Sequence, residues 1–201
     1  MDEMPVTNDE IANTISAYLD MYPTDAEAFA ALLEAARGSE APLASRATTP
    51  GHVTCGAVVV TPDRRVLQIR HRRLERWLLP GGHIEPEDDS LLATAMRELA
   101  EEAGISGGSV SPVLERPVDL HAHVIPANPI KVEPEHTHYD FRFLLAVDQT
   151  VATSPNEEEV SDFRWIPLLE LPGQLGGRVR ATLLTRRLPD LAQKPPDHRV
   201  T

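Results

Sequence analysis

Apolar residues recur along this chain with two different spacings, and the change of spacing separates an N-terminal part from the remainder. Residues 8–37 carry apolar side chains three and four positions apart, which predicts one or two amphipathic helices. Residues 38–50 are rich in Ala, Ser, Thr and Pro, a composition that predicts a linker. We interpret the N-terminal part as a helical appendage.

Beyond the linker, the pattern is that of β-strands. Residues 52–60 are mostly apolar, and residues 66–70 alternate between apolar and polar side chains. Asp63 and Arg64 lie between the two segments and favour a turn. The two segments together predict a β-hairpin.

Three further segments have strand character. They are residues 110–124, 138–147 and 160–167, and a proline-rich connection over residues 126–134 separates the first from the second. A connection of that length is typical of a loop that faces a substrate. An amphipathic helix over residues 175–188 is expected to cover the sheet.

A helix is also predicted in the middle of the chain. Either Asp89 or Ser90 can cap its N-terminus, and Gly104 can end it as a C-terminal glycine. Its apolar positions are three and four residues apart and form one face: Leu92, Ala95, Met96, Leu99 and Ala103. This helix should therefore pack on the core through that face.

The same helix carries three carboxylates beside its apolar face. Glu98, Glu101 and Glu102 are three and four residues apart, so their side chains gather and repel one another. A divalent cation would relieve the repulsion, and hard oxygen ligands suit Mg²⁺ or Mn²⁺. The alternative is an ordinary solvated acidic face. Gly81 and Gly82 favour the metal, because a glycine turn before the helix can bring a backbone carbonyl close to it.

Composition limits the classes of function. The chain has 201 residues and is 41% hydrophobic, which suits one domain with an appendage. Its net charge of -12 excludes a broad basic surface for nucleic-acid backbone. An acidic protein can still bind a small phosphate compound through a metal ion.

Cys55 is the single cysteine of the chain, so no internal disulfide can form. No Cys/His spacing resembles a structural zinc site. No apolar run approaches the length of a transmembrane helix, and the N-terminus lacks the basic and apolar regions of a signal peptide. These features lead us to expect a reducing, cytoplasmic environment.

Residues 97–105, RELAEEAGI, resemble part of a known motif. The Nudix hydrolase family carries a box written G-x5-E-x7-R-E-U-x-E-E-x-G-U, in which U is a bulky aliphatic residue. The second half of that box matches at every fixed position, and the first half differs. Counting back from Arg97 places Asp89 where the family has Glu, and six residues rather than five separate Asp89 from Gly82. This leaves open the register of the loop and the role of Asp88 or Asp89.

The resemblance implies an α/β fold, the Nudix α/β/α sandwich with a mixed β-sheet between helices. The expected organisation is a helical appendage and linker over residues 1–45, the Nudix domain over residues 46–190 and a flexible tail over residues 191–201. The implied activity is metal-dependent cleavage, with Mg²⁺ or Mn²⁺, of the diphosphate bond in a nucleoside diphosphate linked to another moiety. The partner would be that small molecule, no membrane is expected, and a homodimer is left open.

The resemblance also implies roles for residues of the box. Gly82 would offer its carbonyl to the metal, and Glu101 and Glu102 would be metal ligands. Glu98 would be the catalytic base or a further ligand. Arg97 would orient the carboxylates by ion pairing.

Candidates for substrate binding lie outside the box. Four arginines precede the glycine loop and could neutralise substrate phosphates, or they could belong to a solvated basic loop: Arg70, Arg72, Arg73 and Arg76. His136, His138 and Asp140 alternate, so in a strand they share one face, which we predict faces the substrate cleft. The alternative is the wet face of a sheet with no specific role.

Glu158 is a possible additional acid, since it lies in an acidic loop ahead of a strand that ends in Trp165-Ile166-Pro167. In some Nudix proteins a Glu of that loop binds another metal or acts as base. A solvated turn is the alternative reading.

A second function also stays open: a Nudix-fold sensor that binds a nucleotide without turnover. The sequence does not identify the substrate.

Overall fold

The computed structural model describes residues 5–129, 132–147 and 153–186. The tail predicted at residues 191–201 lies outside these ranges. So do the last two residues of the helix predicted to end at residue 188. No helix in the described part of the chain has both the length and the apolar character that a membrane span needs.

The N-terminal part folds as two helices, as the spacing predicted. Helix α1 spans Asn8–Met21, and helix α2 spans Ala26–Gly38, with a short 3-10 turn at Pro23–Asp25 between them. The Thr7 hydroxyl accepts a hydrogen bond from the Glu10 N–H and caps α1. The break falls at the proline because a proline inside a helix removes a backbone donor and clashes with the preceding turn.

The remaining helices and strands follow in chain order. The strands are β1 (Gly51–Val60), β2 (Arg65–His71), β3 (Arg76–Leu78), β4 (Gly81–His83), β5 (Val110–Pro112), β6 (Asp119–Ile125), β7 (His136–Val147) and β8 (Val160–Pro167), and the helices are α3 (Leu91–Ala103) and α4 (Gly173–Thr185).

The strands form one mixed sheet around β1 and β7. These two strands are parallel along their length, whereas every other pairing among the described strands is antiparallel. The predicted hairpin is present as β1 and β2. The segment predicted as one strand over residues 110–124 is divided into β5 and β6, which pair with different parts of β7.

Helices cover both faces of this sheet, which confirms the α/β sandwich. Strand β1 is buried along its whole length. Its Val59 packs in a cluster with Leu99 of α3, and its Val58 packs in a cluster with Val179 of α4. Successive side chains of a strand point to opposite faces, so a strand that is buried along its whole length requires a cover on each side.

The two N-terminal helices share a core with the sheet. Ile15 and Tyr18 of α1 are fully buried in one cluster with Cys55 of β1, Phe141 of β7 and Leu91 of α3. The appendage therefore packs directly on the domain that follows it. The boundary at residue 45 stays a prediction about independent folding.

Candidate functional site

Helix α3 forms for the local reasons that its sequence indicated. The Ser90 hydroxyl accepts a hydrogen bond from the Ala93 N–H, and so Ser90 rather than Asp89 caps the helix. Gly104 follows the last turn with φ of 69°, a left-handed conformation that favours glycine. Leu99 and Ala103 are fully buried. The helix is thereby fixed in rotation, with its glutamates on the side that faces the glycine strand β4.

The three glutamates differ in exposure. Glu102 is 5% exposed, the Glu98 side chain is 13% exposed, and the Glu101 side chain is 53% exposed. Glu102 Oε2 accepts a hydrogen bond of 2.8 Å from the Gly81 N–H. Two of the carboxylates are thus inside the protein, which argues against a simple solvated acidic face.

Burial changes the acidity of both inner carboxyls. It raises the pKa of Glu98 to about 7, an effect that neighbouring Arg97 partly opposes. It raises the pKa of Glu102 to about 8, the hydrogen bond from Gly81 acting against burial and the charge of Glu98 adding to it. Two buried carboxyls so close together do not both ionise easily without a cation.

Arg97 joins the loop to the helix. Its guanidinium makes a two-pronged ion pair with Asp88, each N···O distance being 2.9 Å, and it donates to the His83 carbonyl at 2.8 Å. Its Nη1 also lies 3.1 Å from Glu98 Oε1 and 2.8 Å from Glu101 Oε2. A planar guanidinium fixed in this way orients both glutamates.

The structure also separates the two aspartates of the loop. Asp88 is 3% exposed and holds Arg97, while Asp89 is exposed. Asp88 is the residue reached by counting five intervening positions from Gly82. The extra residue relative to the box therefore lies between Asp88 and Arg97, and Asp89 has the position of an exposed residue just before the helix cap.

The glycines that we predicted as a loop form strand β4. It pairs antiparallel with β1, with Gly82 opposite Cys55. A Cβ atom on Gly82 would overlap the Glu98 carboxylate, and one on Gly81 would overlap the Cys55 carbonyl. The close approach brings backbone and carboxylate oxygens together, and this hard, negatively charged donor set fits Mg²⁺ or Mn²⁺.

These groups open on a cleft of about 900 Å³. Among the residues predicted for the site, those that line the cleft are Gly82, Arg97, Glu98, Glu101, Glu102, His138, Asp140 and Glu158. His136 lies beside the cleft, with its Nε2 3.2 Å from His138 Nε2. Arg70 and Arg72 are not among the described residues that line it, and Arg72 donates instead to the Glu157 carbonyl.

Two arginines line the cleft, of which Arg142 was not predicted and Arg73 was among the candidate arginines. Arg142 follows Asp140 at the same strand spacing, pairs with it at 2.8 Å and lines the cleft, so the alternation of His138 and Asp140 could have been extended to it. Arg73 lines the cleft from the connection between β2 and β3, which also contains Arg72. Both place positive charge near the glutamates.

Histidines gather at one part of the site. Ring nitrogens of His52 in β1, His83 in β4 and His138 in β7 lie within 4.8 Å of one another. Burial lowers the pKa of His52, and burial together with the neighbouring imidazoles lowers the pKa of His138 to about 3. We did not predict His52 or His83, because their separation in sequence exceeds any local metal-binding spacing and only strand pairing brings them together.

The raised carboxyl pKa values predict a pH-dependent stability of the cation-free protein. A carboxyl with a raised folded pKa stabilises the fold while protonated, and that stability is lost as pH rises through the folded pKa. The histidines with lowered pKa act oppositely, but only below about pH 6.5. In a chelator, the free energy of unfolding should therefore fall between about pH 6.5 and 8.5, as measured by urea denaturation.

Two variants test the origin of that slope. Glu102→Gln should flatten it, whereas Glu101→Gln, at a half-exposed position, should leave it in place. Saturating Mg²⁺ should also flatten the slope, because a cation favours the charged carboxylates. A wild-type profile that is already flat in chelator would contradict the assignment.

A family model described as the NUDIX domain matches residues 50–187. A probable DHNTP pyrophosphohydrolase from Lactococcus lactis is 34% identical over 96 residues, which are 48% of this chain and 55% of that protein. A putative mutator protein MutT4 from Mycobacterium tuberculosis is 37% identical over 99 residues, 49% of this chain and 36% of that protein.

The chain thus spans about half or less of the length of these two curated relatives. Among solved structures, a C. elegans Ap4A hydrolase in a binary complex aligns with a TM-score of 0.49 and 17% identity. That alignment covers 66% of this chain and 98% of the other.

Proposed function

The chain belongs to the family of NUDIX domain proteins, and from that premise we propose that it is a metal-dependent hydrolase of diphosphate bonds. Its substrate class is a nucleoside diphosphate linked to another moiety. The observation that carries the proposal is the pair of buried carboxylates, Glu98 and Glu102, held against the glycine backbone of β4 inside an open cleft.

The residues that would hold the cation are Gly82 through its carbonyl, and Glu98, Glu101 and Glu102 through their carboxylates. Mg²⁺ or Mn²⁺ is the expected ion, because every donor is a hard oxygen. Such an ion, when bound, neutralises the diphosphate and polarises its phosphoryl oxygens.

The protein's own groups account for the proton and for positioning. A water oxygen bonds to one phosphorus atom while the bridging O–P bond breaks, and we assign to Glu98 the proton that the water loses. Burial raises the pKa of Glu98 in the cation-free protein, and a bound cation would oppose that shift, so that Glu98 is ionised and able to take the proton. Arg97 keeps Glu98 and Glu101 in place through its hydrogen bonds and is itself fixed by Asp88.

Residues around the cleft would bind the substrate. We propose that His138 and Asp140 face it and that His136 supports His138. Arg142 and Arg73 are better placed than Arg70 and Arg72 to meet its negative charge, since both line the cleft. Glu158 also lines the cleft and remains a proposed additional acid. The cytoplasm as compartment and the homodimer remain predictions.

A hydrolysis screen tests the function. Nucleoside diphosphate conjugates would be incubated with the protein and Mg²⁺ or Mn²⁺, and phosphate released after coupling to a phosphatase would be measured. We expect release with at least one conjugate and none in chelator. Glu87→Gln is the matched control for the glutamate variants of α3, because Glu87 lines the same cleft but belongs to the loop before the helix and is exposed.

The screen also separates the second candidate. A nucleotide sensor would bind a conjugate, as detected by calorimetry, and leave it intact in the presence of either metal. That result across the whole substrate class would overturn the enzymatic proposal.

A further inference from the structure

Imidazole rings cluster beside the carboxylates, and three of them meet closely. The ring centroids of His52 and His138 are 4.7 Å apart, those of His83 and His138 are 5.0 Å apart, and those of His52 and His83 are 5.2 Å apart. The three residues come from three different strands, β1, β4 and β7. The sheet therefore fixes their mutual positions rigidly.

One nitrogen of this cluster is buried without a hydrogen-bond partner. His52 is 2% exposed, and among the described residues its Nε2 has no partner. Its Nδ1 lies 3.1 Å from the Thr48 carbonyl. A carbonyl can only accept, so Nδ1 carries the hydrogen and Nε2 of the neutral ring presents a lone pair.

Such a lone pair is costly unless something binds it. A buried acceptor without a partner loses its hydration and gains nothing in return. Histidines that bind metals typically donate their other ring N–H to a backbone carbonyl or a carboxylate, which fixes the tautomer and the ring orientation. The contact of His52 with Thr48 has this form.

A hydrogen-bond contact holds His138 in place. His138 Nε2 lies 3.2 Å from His136 Nε2, and His136 Nδ1 lies 2.9 Å from the Pro134 carbonyl. The group whose ring nitrogens converge consists of His52, His83 and His138, so His136 supports this group from outside it.

We propose that His52, His83 and His138 bind one divalent transition-metal ion of the zinc type, at a site separate from the Mg²⁺ or Mn²⁺ site of the glutamates. The two donor sets differ in class, since imidazole nitrogen suits Zn²⁺, Ni²⁺, Cu²⁺ or Fe²⁺, and carboxylate oxygen suits Mg²⁺ or Mn²⁺. His83 and His138 also line the cleft, so an ion held by three imidazoles can offer its remaining position to an oxygen of the substrate.

The test measures metal binding directly. The full chain, with any affinity tag removed, is stripped with a chelator, returned to excess Mg²⁺ and titrated with Zn²⁺ or Co²⁺. We expect one Zn²⁺ bound per chain, a rise in melting temperature and, with Co²⁺, a visible absorption band from nitrogen ligation. No binding of either ion under these conditions overturns the proposal.

Variants locate the ion. His83→Ala and His138→Ala should weaken Zn²⁺ binding by more than about 100-fold, because loss of even an outer partner of a ligand costs about 10–100-fold. His121→Ala should bind normally, since His121 stacks on His123 at the far side of the cluster. His52 is buried and its replacement risks misfolding, so the decisive variant is His83→Ala at a half-buried position.

One more variant distinguishes the two sites. A Glu98→Gln, Glu102→Gln double variant should lose Mg²⁺ binding and keep the Co²⁺ band. Loss of the band in this variant, or its retention in both His83→Ala and His138→Ala, would place the ion on the carboxylates and overturn the proposal. The outcome does not depend on whether the protein hydrolyses any diphosphate.

Discussion

Replacing Glu98 with glutamine is expected to lower kcat on a confirmed substrate by about 10²–10⁴-fold, the usual contribution of a general base. Glutamine keeps the shape of the side chain but cannot take a proton. Glu98 lies inside the cleft, packed against the Gly82 backbone and fixed by Arg97, so no neighbouring acid in the described cleft has the same position. Steady-state kinetics with saturating Mg²⁺ would measure the loss.

The other two glutamates should respond differently. Glu101→Gln and Glu102→Gln are expected to weaken Mg²⁺ binding in calorimetry, with the larger effect at buried Glu102. Thermal melting of the cation-free variants should not drop below wild type, because each change leaves one acid fewer in a crowded acidic cluster, and in Glu102→Gln the amide oxygen can still accept from the Gly81 N–H. If all three variants hydrolyse the substrate at the wild-type rate, the mechanism must be abandoned.

The helix of the box was predictable because its signals are local. A cap at Ser90, a stop at Gly104 and apolar positions at helical spacing all lie within one segment, and each acts on its own neighbours in the chain. The same holds for β1, which the mostly apolar residues 52–60 predicted as a strand.

Features that depend on pairing between distant segments were not predictable in this way. A Gly-Gly-His triplet has the composition of a turn, yet it is a strand because β1 supplies its hydrogen-bond partners. The meeting of His52, His83 and His138 follows from the same pairing and from the parallel register that sets His52 beside His138. Neither register can be read from local spacing.

The role of Asp88 was only partly predictable from the sequence. Counting along the box from Gly82 and counting back from Arg97 give different aspartates, so the motif alone leaves two registers. The ion pair decides between them, since Asp88 is the residue whose carboxylate meets the guanidinium of Arg97. The one-residue insertion falls at the exposed Asp89, between the ion pair of Asp88 and the helix cap of Ser90.

Arg178 is the residue through which α4 holds the N-terminal helices. Its guanidinium pairs with Asp119 of β6 and with Asp25 between α1 and α2, and it donates to the Tyr18 hydroxyl. The side chains of Arg178 and Asp119 are 10% and 5% exposed. Burial raises the pKa of Asp119 despite Arg142 and Arg178, which oppose it. Loss of one charge in this network would therefore leave its partner uncompensated inside the protein.

Replacing Arg178 with alanine is expected to destabilise the protein by about 3–5 kcal/mol, because breaking a buried ion pair leaves an uncompensated charge inside. Urea denaturation would measure the change. Arg186→Ala, at an exposed position just after α4, is the control and should stay within about 0.5 kcal/mol of wild type.

A double-variant cycle shows whether this loss reports coupling between the appendage and the sheet. Asp25→Asn removes the charge that Arg178 meets on the N-terminal helices, so the Arg178→Ala, Asp25→Asn pair should lose less stability than the sum of the single losses. Strict additivity would mean that Arg178 acts through partners other than Asp25, such as Asp119 and the Tyr18 hydroxyl. Helices α1 and α2 would then be held on the domain by their apolar contacts, in the cluster that contains Ile15 and Phe141, rather than by this ion pair.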